Sequence, residues 1–298
     1  MELKKLLMIV NPAAGRRKSK EPLYYAATIL SEAGYLLNIR NTSGPGNARE
    51  LAAEKGAQFD LVVAVGGDGT LNETVAGLMT LEPQHRPLLG YIPQGSTNDF
   101  ASSLRLPKHP ITAAVSMTRT FRPRWLDIGR WNERCFIYVA SFGAFTRSSY
   151  MAPQAAKNAL GHFAYILEGM KDLNTLRPYR IKLTADGEVL DGEYLFGAVC
   201  NSTSIGGLMK LDPQRVVLDD GKFELLLIPN PKTPQDLQNL VKALLSQKYD
   251  SEGLVFRHVS SIHLETDMEL PWSLDGEFAP STPVVDIENC PRGLAVLL

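Results

Sequence analysis

Four short apolar segments in the first 120 residues each end in a loop rich in glycine, asparagine, serine or threonine. This arrangement restricts the fold more than any other feature of the chain. The segments read LLMIV, YLLNIRNT, DLVVAV and LLGYIP, and the stretches LYYAATILSEAG, GNARELAAEKG and TLNETVAGLMTL, typical of helices, alternate with them. Strands that alternate with helices predict a doubly wound α/β domain with a parallel sheet. Ligands of such a sheet bind beyond the carboxyl ends of its strands.

The pattern changes near Arg122 and Pro123. From there most apolar segments, including RCFIYVASFG and VVLDDGKFELLLI (216–228), are typical of antiparallel β-strands separated by turns. Helices are predicted over 153–173 and 233–248, the second with Thr233 as its N-cap. We therefore predict an α/β domain over 1–126 and a mostly antiparallel β domain over 127–298. The last strand is expected to return to the first domain.

The composition excludes several classes of protein. Hydrophobic residues make up 44% and charged residues 21% of the 298 residues, and the net charge is −1. This balance is that of a globular chain, and it argues against general binding to nucleic acid. No apolar run reaches the roughly 18 to 20 residues that a membrane-spanning helix needs. We therefore expect any membrane contact to be peripheral.

Cysteine usage and the N-terminus both favour a cytoplasmic protein. Cys135, Cys200 and Cys290 lie far apart without zinc-binding spacing, which is typical of free thiols in a reducing compartment. The segment MELKKLLMIVNP has no small-residue cleavage site and is typical of a first strand. No two histidines have the i, i+4 spacing of metal ligands.

The loops that follow the four predicted strands share one design. They read NPAAG, NTSGPGNA, GGDGT and PQGSTND. Glycine lets backbone N–H groups approach a ligand closely, and the N-terminus of a helix favours anions. Each loop alone is an ordinary strand-to-helix turn, but four at one sheet edge favour a cradle for nucleotide phosphates. The patterns GxxxxGK[ST] and, after a strand, GxGxxG are both absent.

Asp68 is the lone carboxylate of the GGDGT loop. A carboxylate beside phosphates repels them unless Mg²⁺ or a proton-donating hydroxyl lies between, which favours phosphoryl transfer. A short acidic side chain is also a good cap for a helix that starts at Thr70. Spacing alone leaves both interpretations open.

The motifs GGDGTLNETVAGL, NPAAG and PQGSTNDFASSL together resemble the catalytic domain of the diacylglycerol kinases. Over its full length the chain is similar to the bacterial lipid kinases of that superfamily. GGDGT alone is shared with NAD kinases and resembles a phosphofructokinase motif, so the combination carries the resemblance. It implies a nucleotide-binding α/β domain followed by a β-sandwich domain, and transfer of the γ-phosphoryl group of ATP, with Mg²⁺, to a lipid hydroxyl.

The resemblance also implies which residues contact the nucleotide. Carried over motif by motif, they are Asn11, Pro12, Ala13, Ala14, Gly15, Thr42, Gly66, Gly67, Asp68, Gly69, Thr70, Leu71, Asn72 and Ser96. The family usually has threonine in place of Ser96, and serine keeps the hydroxyl. The basic residues Arg16, Arg17, Lys18 and Lys20 suit either anionic groups or a solvated loop.

The segment VVLDDGKF resembles a structural Mg²⁺ loop of the family. The resemblance implies a carboxylate ligand from Asp220 and backbone carbonyl ligands from Val217 and Lys222. Oxygen ligands on a tight turn suit a hard cation. An ordinary Asp-Gly turn between strands is the alternative.

Asp-Gly-Glu occurs three times, at Asp186, Asp191 and Asp275. The first two are five residues apart and are typical of hairpin turns. The third matches the C-terminal motif of the family, which implies that Glu277 is the general base for the lipid hydroxyl, assisted by Asp68. The sequence does not decide which of Glu277 and Asp68 is the general base and which assists it.

The sequence thus predicts a lipid kinase that meets its substrate at a membrane surface. An NAD kinase-like enzyme and a non-catalytic nucleotide- or lipid-binding protein on the same scaffold are the alternatives. Diacylglycerol and several related lipids present a hydroxyl beside an apolar tail, and the sequence does not choose among them. An exposed sheet edge leaves a homodimer open.

Overall fold

A computed structural model of the chain describes residues 3–14, 21–95, 98–119, 122–143, 177–205, 209–210, 216–246 and 253–297. The chain divides into two compact units. The first unit comprises Met1–Ile128 with Pro291–Leu298, and the second comprises Gly129–Cys290. Among the helices in these ranges, none is long and apolar enough to cross a membrane.

The first unit is built on a parallel sheet with the strand order β2-β1-β3-β4. Its strands are β1 (Lys4–Val10), β2 (Tyr35–Asn41), β3 (Leu61–Gly66) and β4 (Leu88–Pro93). Every residue of β3 is buried, as expected for the centre of a parallel sheet covered on both faces.

The helices of the first unit pack in two pairs, α1 with α5 and α2 with α3. They are α1 (Glu21–Glu32), α2 (Asn47–Lys55), α3 (Asp68–Leu78), α4 (Asp99–Ser103) and α5 (Pro110–Arg119). Buried residues of α1 and α5, such as Leu30 and Met117, share a core with Met8 and Val63 of the sheet. Gly77 of α3 lies so close to α2 that a Cβ there would be 2.3 Å from the Arg49 carbonyl oxygen.

The second unit is mostly antiparallel β. Its strands are β5 (Arg124–Trp131, which begins in the first unit), β6 (Arg134–Phe136), β7 (Val139–Gly143), β8 (Tyr179–Ala185), β9 (Glu188–Cys200), β10 (Ser204–Ile205), β11 (Met209–Lys210), β12 (Phe223–Pro229), β13 (Val255–Val259), β14 (Ser261–Glu265), β15 (Trp272–Leu274), β16 (Glu277–Ala279) and β17 (Val284–Val296, which ends in the first unit). One helix, α6 (Pro234–Ser246), lies between β12 and β13.

Strand β9 connects other strands of this unit, because its two halves pair with different strands. The first half pairs with β8, and the second half pairs with β7 and β12. Aromatic side chains fill the core of this unit, including Phe142 of β7 and Trp272 of β15, whose ring centroids are 5.0 Å apart. The doubly wound α/β unit and the antiparallel β unit confirm the predicted fold class.

The second unit corrects three details of the sequence analysis. RCFIYVASFG, expected as one strand, is divided into β6 and β7 by a bend at Ile137 and Tyr138. The predicted hairpin turn at Asp191 is wrong, because Asp191 lies inside β9 opposite Lys182. In 216–228 only the part from Phe223 onward is a strand. The helix predicted over 153–173 lies outside the described residues.

Thr233 and Asp236 begin α6 with reciprocal hydrogen bonds. The Asp236 N–H donates to Thr233 Oγ1 at 3.1 Å, and the Thr233 N–H donates to Asp236 Oδ2 at 2.9 Å. Two backbone donors that have no partner within the helix are thereby satisfied. The predicted N-cap at Thr233 is therefore confirmed.

Candidate functional site

The loops after β1 and β3 are joined through Asn11. Its side-chain amide donates to Thr70 Oγ1 at 3.0 Å, and its side-chain oxygen accepts from the Ala13 N–H at 2.9 Å. The Asn11 N–H also donates to the Val65 carbonyl oxygen at 2.9 Å. One asparagine therefore shapes its own loop and connects it to the first turn of α3.

The loops after β3 and β4 approach each other backbone to backbone. A Cβ on Gly95 would lie 2.7 Å from Gly67 Cα, and a Cβ on Gly67 would lie 3.3 Å from Gly95 Cα. The Gln94 N–H completes the contact by donating to the Gly66 carbonyl oxygen at 2.7 Å. These glycines permit the close approach of two protein loops, whereas the sequence analysis assigned their small size to contact with a ligand.

Asn98 maintains the loop after β4. It is buried, adopts a left-handed backbone conformation (φ 52°), and its side-chain oxygen accepts from the Gly95 N–H at 2.9 Å while its amide donates to the Gly95 carbonyl at 3.0 Å. The Tyr91 hydroxyl lies 3.2 Å from the Gly66 carbonyl oxygen and 3.4 Å from Asn98 Oδ1. Asparagine tolerates the left-handed region better than most residues.

Asp68 lies in the first turn of α3, whose N-cap is Gly67. The interpretation of Asp68 as the cap of a helix beginning at Thr70 is therefore wrong, because the helix begins at Asp68 itself. Asp68 Oδ1 accepts from the Phe100 N–H, at the start of α4, at 3.3 Å. Gly67 supplies no side-chain oxygen to the first turn, so the N–H groups there are suited to an anion.

Glu73 organises the loop after β2. Its two carboxylate oxygens accept from the Gly46 N–H at 2.8 Å and from the Ala48 N–H at 3.2 Å. The Thr42 N–H, in the same loop, donates to the Val10 carbonyl oxygen at 2.8 Å. A residue of α3 therefore determines where α2 begins.

A cavity of about 340 Å³ lies at this edge of the sheet. Its walls are mostly apolar and include Met8, Val10, Leu23, Tyr24, Ala27, Ile39, Val65 and Pro110, with amides from Asn11, Asn41 and Gln94. Among the described residues, none of those that line the cavity carries a charge. The cavity therefore suits an uncharged part of a ligand, in contrast to the N–H groups at the start of α3.

The structure brings most of the predicted nucleotide contacts to one edge of the first unit. Asn11 to Ala14 follow β1, Thr42 follows β2, and Gly66 to Asn72 join β3 to α3. The Leu71 side chain is fully buried in the core, so any ligand contact of Leu71 is restricted to its backbone. Gly15, Ser96 and the basic residues Arg16, Arg17, Lys18 and Lys20 lie outside the described residues.

The predicted metal ligands lie on the turn before β12. Asp220 is exposed, and its Oδ1 accepts from the Lys222 N–H at 3.0 Å, while Gly221 adopts φ 79°. Val217 is also exposed. Among the described residues, including this turn, no group of three histidine, cysteine, aspartate or glutamate side chains could hold a metal ion, so a cation here would depend on backbone carbonyl ligands.

Glu224 lies just beyond this turn and is 2% exposed, with no hydrogen-bond partner for its Oε2 atom. Burial and the nearby Asp220 charge raise its pKa to about 8. At neutral pH the Glu224 carboxyl group is therefore mostly protonated, and the exposed Asp220 carboxylate carries the negative charge of the turn. One accessible carboxylate on a tight turn beside a buried carboxyl group fits a hard cation.

The three Asp-Gly-Glu motifs have different surroundings. Glu188 of the first motif forms two hydrogen bonds of 3.0 Å with Arg257, and Glu193 of the second forms an ion pair with Lys232. Glu277 of the third begins β16 and is exposed. Across the described residues the Glu277 carboxylate has no hydrogen-bond or ion-pair partner. Its carboxylate is therefore available for a substrate hydroxyl.

Sequence reasoning missed three residues that shape the first unit's site: Tyr91, Asn98 and Glu73. Glu73 and Asn98 lie inside the motifs that carried the resemblance. Their signal was indirect, because each satisfies loop backbone: Glu73 satisfies that of the loop after β2, and Asn98 that of its own loop. An asparagine three residues after Gly95, in a loop of turn-forming residues, was the sequence indication of a left-handed residue at Asn98.

The comparisons with known proteins agree with this architecture. Residues 5–131 match the diacylglycerol kinase catalytic domain. Residues 139–298 match the YegS C-terminal NAD kinase beta sandwich-like domain. The fold and the loops thus define a kinase-type α/β domain followed by an NAD kinase-like β-sandwich.

Individual relatives extend the match to nearly the whole chain. A diacylglycerol kinase of Bacillus subtilis (strain 168) is 33% identical over 282 residues, which are 94% of this chain and 92% of the relative. One of Staphylococcus aureus (strain MRSA252) is 32% identical over 94% of this chain and 88% of the relative. A crystal structure of a diacylglycerol kinase from Bacillus anthracis str. Sterne superposes with a TM-score of 0.80 at 26% identity, covering 100% of this chain and 98% of that one. The chain therefore belongs to the diacylglycerol kinase family, and it is an enzyme of the kinase class.

Proposed function

We propose that this protein transfers the γ-phosphoryl group of ATP to the hydroxyl of diacylglycerol or a closely related lipid, with Mg²⁺. One observation carries the proposal beyond family membership. Of the three Asp-Gly-Glu glutamates, Glu277 alone has no protein partner within the described part of the chain, while Glu188 and Glu193 are held in ion pairs. A general base for the acceptor hydroxyl has to be a carboxylate that is free to form a hydrogen bond with that hydroxyl.

The residues of the first unit hold the phosphates in this proposal. The N–H groups at the start of α3 donate to phosphate oxygens, and Asn11 keeps the loop after β1 next to Thr70. Bound Mg²⁺ would neutralise charge on the phosphates during their transfer. Asp68 is the carboxylate of this unit that is suited to a metal-bound phosphate.

Glu277 acts as the general base. Its carboxylate accepts the proton of the lipid hydroxyl, the hydroxyl oxygen forms a bond to the γ-phosphorus, and the bond from that phosphorus to the bridging oxygen breaks. ADP leaves with that oxygen. The second unit, within the predicted domain 127–298, supplies this base and contacts the lipid at a membrane surface.

We also propose a structural cation at the turn formed by Val217, Asp220 and Lys222. The exposed Asp220 carboxylate and the buried Glu224 carboxyl group beside it support this assignment. A homodimer and a cytoplasmic, membrane-peripheral location remain predictions.

A substrate panel tests the proposed activity. We expect labelled ATP with Mg²⁺ to label diacylglycerol in mixed vesicles, and to leave NAD⁺ unlabelled. Labelling of NAD⁺ alone would contradict the lipid kinase assignment in favour of an NAD kinase-like enzyme. ATP binding without labelling of any lipid in the panel would favour a non-catalytic binding protein.

The Glu277→Gln variant tests the base. We expect kcat to fall by about 10² to 10⁴ while the KM for ATP stays within about twofold, because proton abstraction is lost and the nucleotide contacts remain. Glu188→Gln is the matched control, since it changes the same position of an Asp-Gly-Glu motif in the same unit. Wild-type turnover in Glu277→Gln would show that the base lies elsewhere.

A further inference from the structure

Asp275, the first residue of the third Asp-Gly-Glu motif, is 4% exposed and binds three consecutive backbone N–H groups. Its Oδ2 accepts from Ile137 at 2.7 Å, and its Oδ1 accepts from Tyr138 at 2.9 Å and from Val139 at 3.0 Å. These donors lie at the bend between β6 and β7. The carboxyl group therefore takes hydrogen bonds that a continuous strand would direct to a neighbouring strand.

Two further hydrogen bonds attach the backbone of the motif to the same bend. The Tyr138 hydroxyl donates to the Asp275 carbonyl oxygen at 2.9 Å, and the Asp275 N–H donates to the Val139 carbonyl oxygen at 2.8 Å. Five hydrogen bonds thus converge on one residue. A buried group satisfied in this way has little freedom to move.

The backbone conformation of the motif connects this anchor to the candidate base. Asp275 and Gly276 both have positive φ, 51° and 86°, and they form the tight turn between β15 and β16, in which Leu274 pairs with Glu277. Two successive left-handed residues are typical of a two-residue hairpin turn. Glu277 is therefore placed by the turn, and the turn is placed by Asp275.

We infer that Asp275 is a positioning residue for the proposed reaction: together with Tyr138 it holds the β15–β16 turn so that the Glu277 carboxylate is presented to the acceptor hydroxyl. This inference rests on the proposed function of Glu277. Asp275 has no role in proton transfer in it, because its oxygens are engaged by the backbone of the bend. Misplacement of a catalytic group by about 1 Å can cost about 10²-fold in rate.

The chain contains a matched turn without a candidate base. Asp186 and Gly187 have φ of 45° and 92°, and the Asp186 carboxylate accepts from the N–H and hydroxyl groups of Ser260 and Ser261. The turn has the same sequence, conformation and kind of anchor, in the same unit. Glu188 of that turn is held by Arg257.

The test compares Asp275→Asn, Tyr138→Phe and Asp186→Asn with the wild type and Glu277→Gln. In Asp275→Asn, the side-chain NH₂ group would face one of the three backbone N–H groups and could not accept its hydrogen bond. We expect a fall in kcat of about 10- to 100-fold in Asp275→Asn, and a smaller fall of about 3- to 10-fold in Tyr138→Phe. The KM for ATP should stay within about twofold in both. Asp186→Asn should keep wild-type kcat per folded molecule. All assays are run well below the unfolding midpoint of each variant.

Two results would overturn the inference while the proposed function stands. One is wild-type kcat in Tyr138→Phe and in folded Asp275→Asn when Glu277→Gln is inactive. The other is an equal loss in Asp186→Asn, which would reveal a general effect on the sheet. Tyr138→Phe alone decides if Asp275→Asn does not fold. Failure of the proposed function is distinguishable, because the wild type would then label no lipid or Glu277→Gln would remain active.

Discussion

At the scale of single residues, the candidate role of Asp68 depends on its contact with a neighbouring loop more than on its own loop. It stands in the first turn of α3, and the Phe100 N–H at the start of α4 donates to it. A carboxylate that only capped its own helix would have no reason to contact a second helix. Its position between the loops after β3 and β4 is what makes it a candidate for the chemistry.

Asp68→Asn should lower turnover by about 10²-fold or more and leave the fold intact, because the substitution removes charge and little volume. Label transfer to diacylglycerol measures the first expectation and circular dichroism the second. Asp60→Asn is the matched control. Asp60 immediately precedes β3, and its Oδ2 atom accepts a hydrogen bond from the Lys5 N–H at 2.7 Å. Full activity in Asp68→Asn would restrict Asp68 to a structural role.

Glu224 makes stability depend on pH. Its pKa in the folded state, about 8, lies above the ordinary value of 4.5, so the folded state holds a proton that the unfolded state loses. The associated stability is complete below about pH 4.5 and is lost as pH rises through about 8. The second unit should therefore be less stable at pH 9 than at pH 6, by on the order of a few kcal/mol.

Urea unfolding in EDTA, followed by the fluorescence of the buried Trp131 and Trp272, measures this difference. We expect Glu224→Gln to abolish most of it. The control is Glu188→Gln, because hydrogen bonding to Arg257 lowers the pKa of Glu188, so its titration falls below this range. An unchanged pH dependence in Glu224→Gln would show that another group titrates.

At the scale of elements, the loops after β3 and β4 act as one structure. The contact between Gly67 and Gly95 leaves no space for a side chain, and the Asn98 amide spans Gly95 from N–H to carbonyl. The sequence indicated four separate phosphate loops. Their packing against one another depends on atoms that are far apart in the chain, so it could not be read from any one motif.

Gly95→Ala should raise the KM for ATP by about tenfold or more, because the new Cβ would lie 2.7 Å from Gly67 Cα and 2.8 Å from Asn98 Oδ1. The displaced loops would then present their N–H groups less well. Gly44→Ala is the matched control, since a Cβ there meets nothing within 4 Å. Steady-state kinetics on both variants would contradict the prediction if the two KM values were equal.

At the scale of the whole molecule, the chain begins and ends in the same unit. Strand β17 ends in the first unit, where Val296 pairs in parallel with Leu89 of β4. The Arg86 guanidinium donates to the Gly293 carbonyl oxygen at 3.0 Å and to the Leu81 carbonyl oxygen at 3.0 Å. One side chain thus joins the returning segment to the residues that follow α3.

Arg86→Ala should destabilise the first unit by about 1–3 kcal/mol, since it leaves partly buried carbonyl groups without their charged donor. Urea unfolding followed by circular dichroism measures the loss. Arg40→Ala, on an exposed position of β2, is the control and should have little effect. Equal stability of the two variants would show that β17 is held by its strand pairing alone.

Much of the fold followed from local patterns. The four strands of the parallel sheet appear within one or two residues of the predicted bounds, because apolar runs closed by glycine depend on neighbouring residues only. The division of RCFIYVASFG into β6 and β7 did not follow, because its cause is the Asp275 carboxyl group more than 130 residues away. The same limit applies to Asp191, whose turn-like sequence is overridden by pairing with β8.

The sequence by itself determined the class of the enzyme, the order of its elements and the residue types that phosphoryl transfer requires. Tertiary structure decided which of three identical Asp-Gly-Glu motifs has a glutamate carboxylate without a partner in the described part of the chain. Arg257 and Lys232 approach Glu188 and Glu193 only when distant strands and loops pack together. Local sequence sets backbone preferences over a few residues, whereas the availability of a carboxylate depends on charges that folding brings to it.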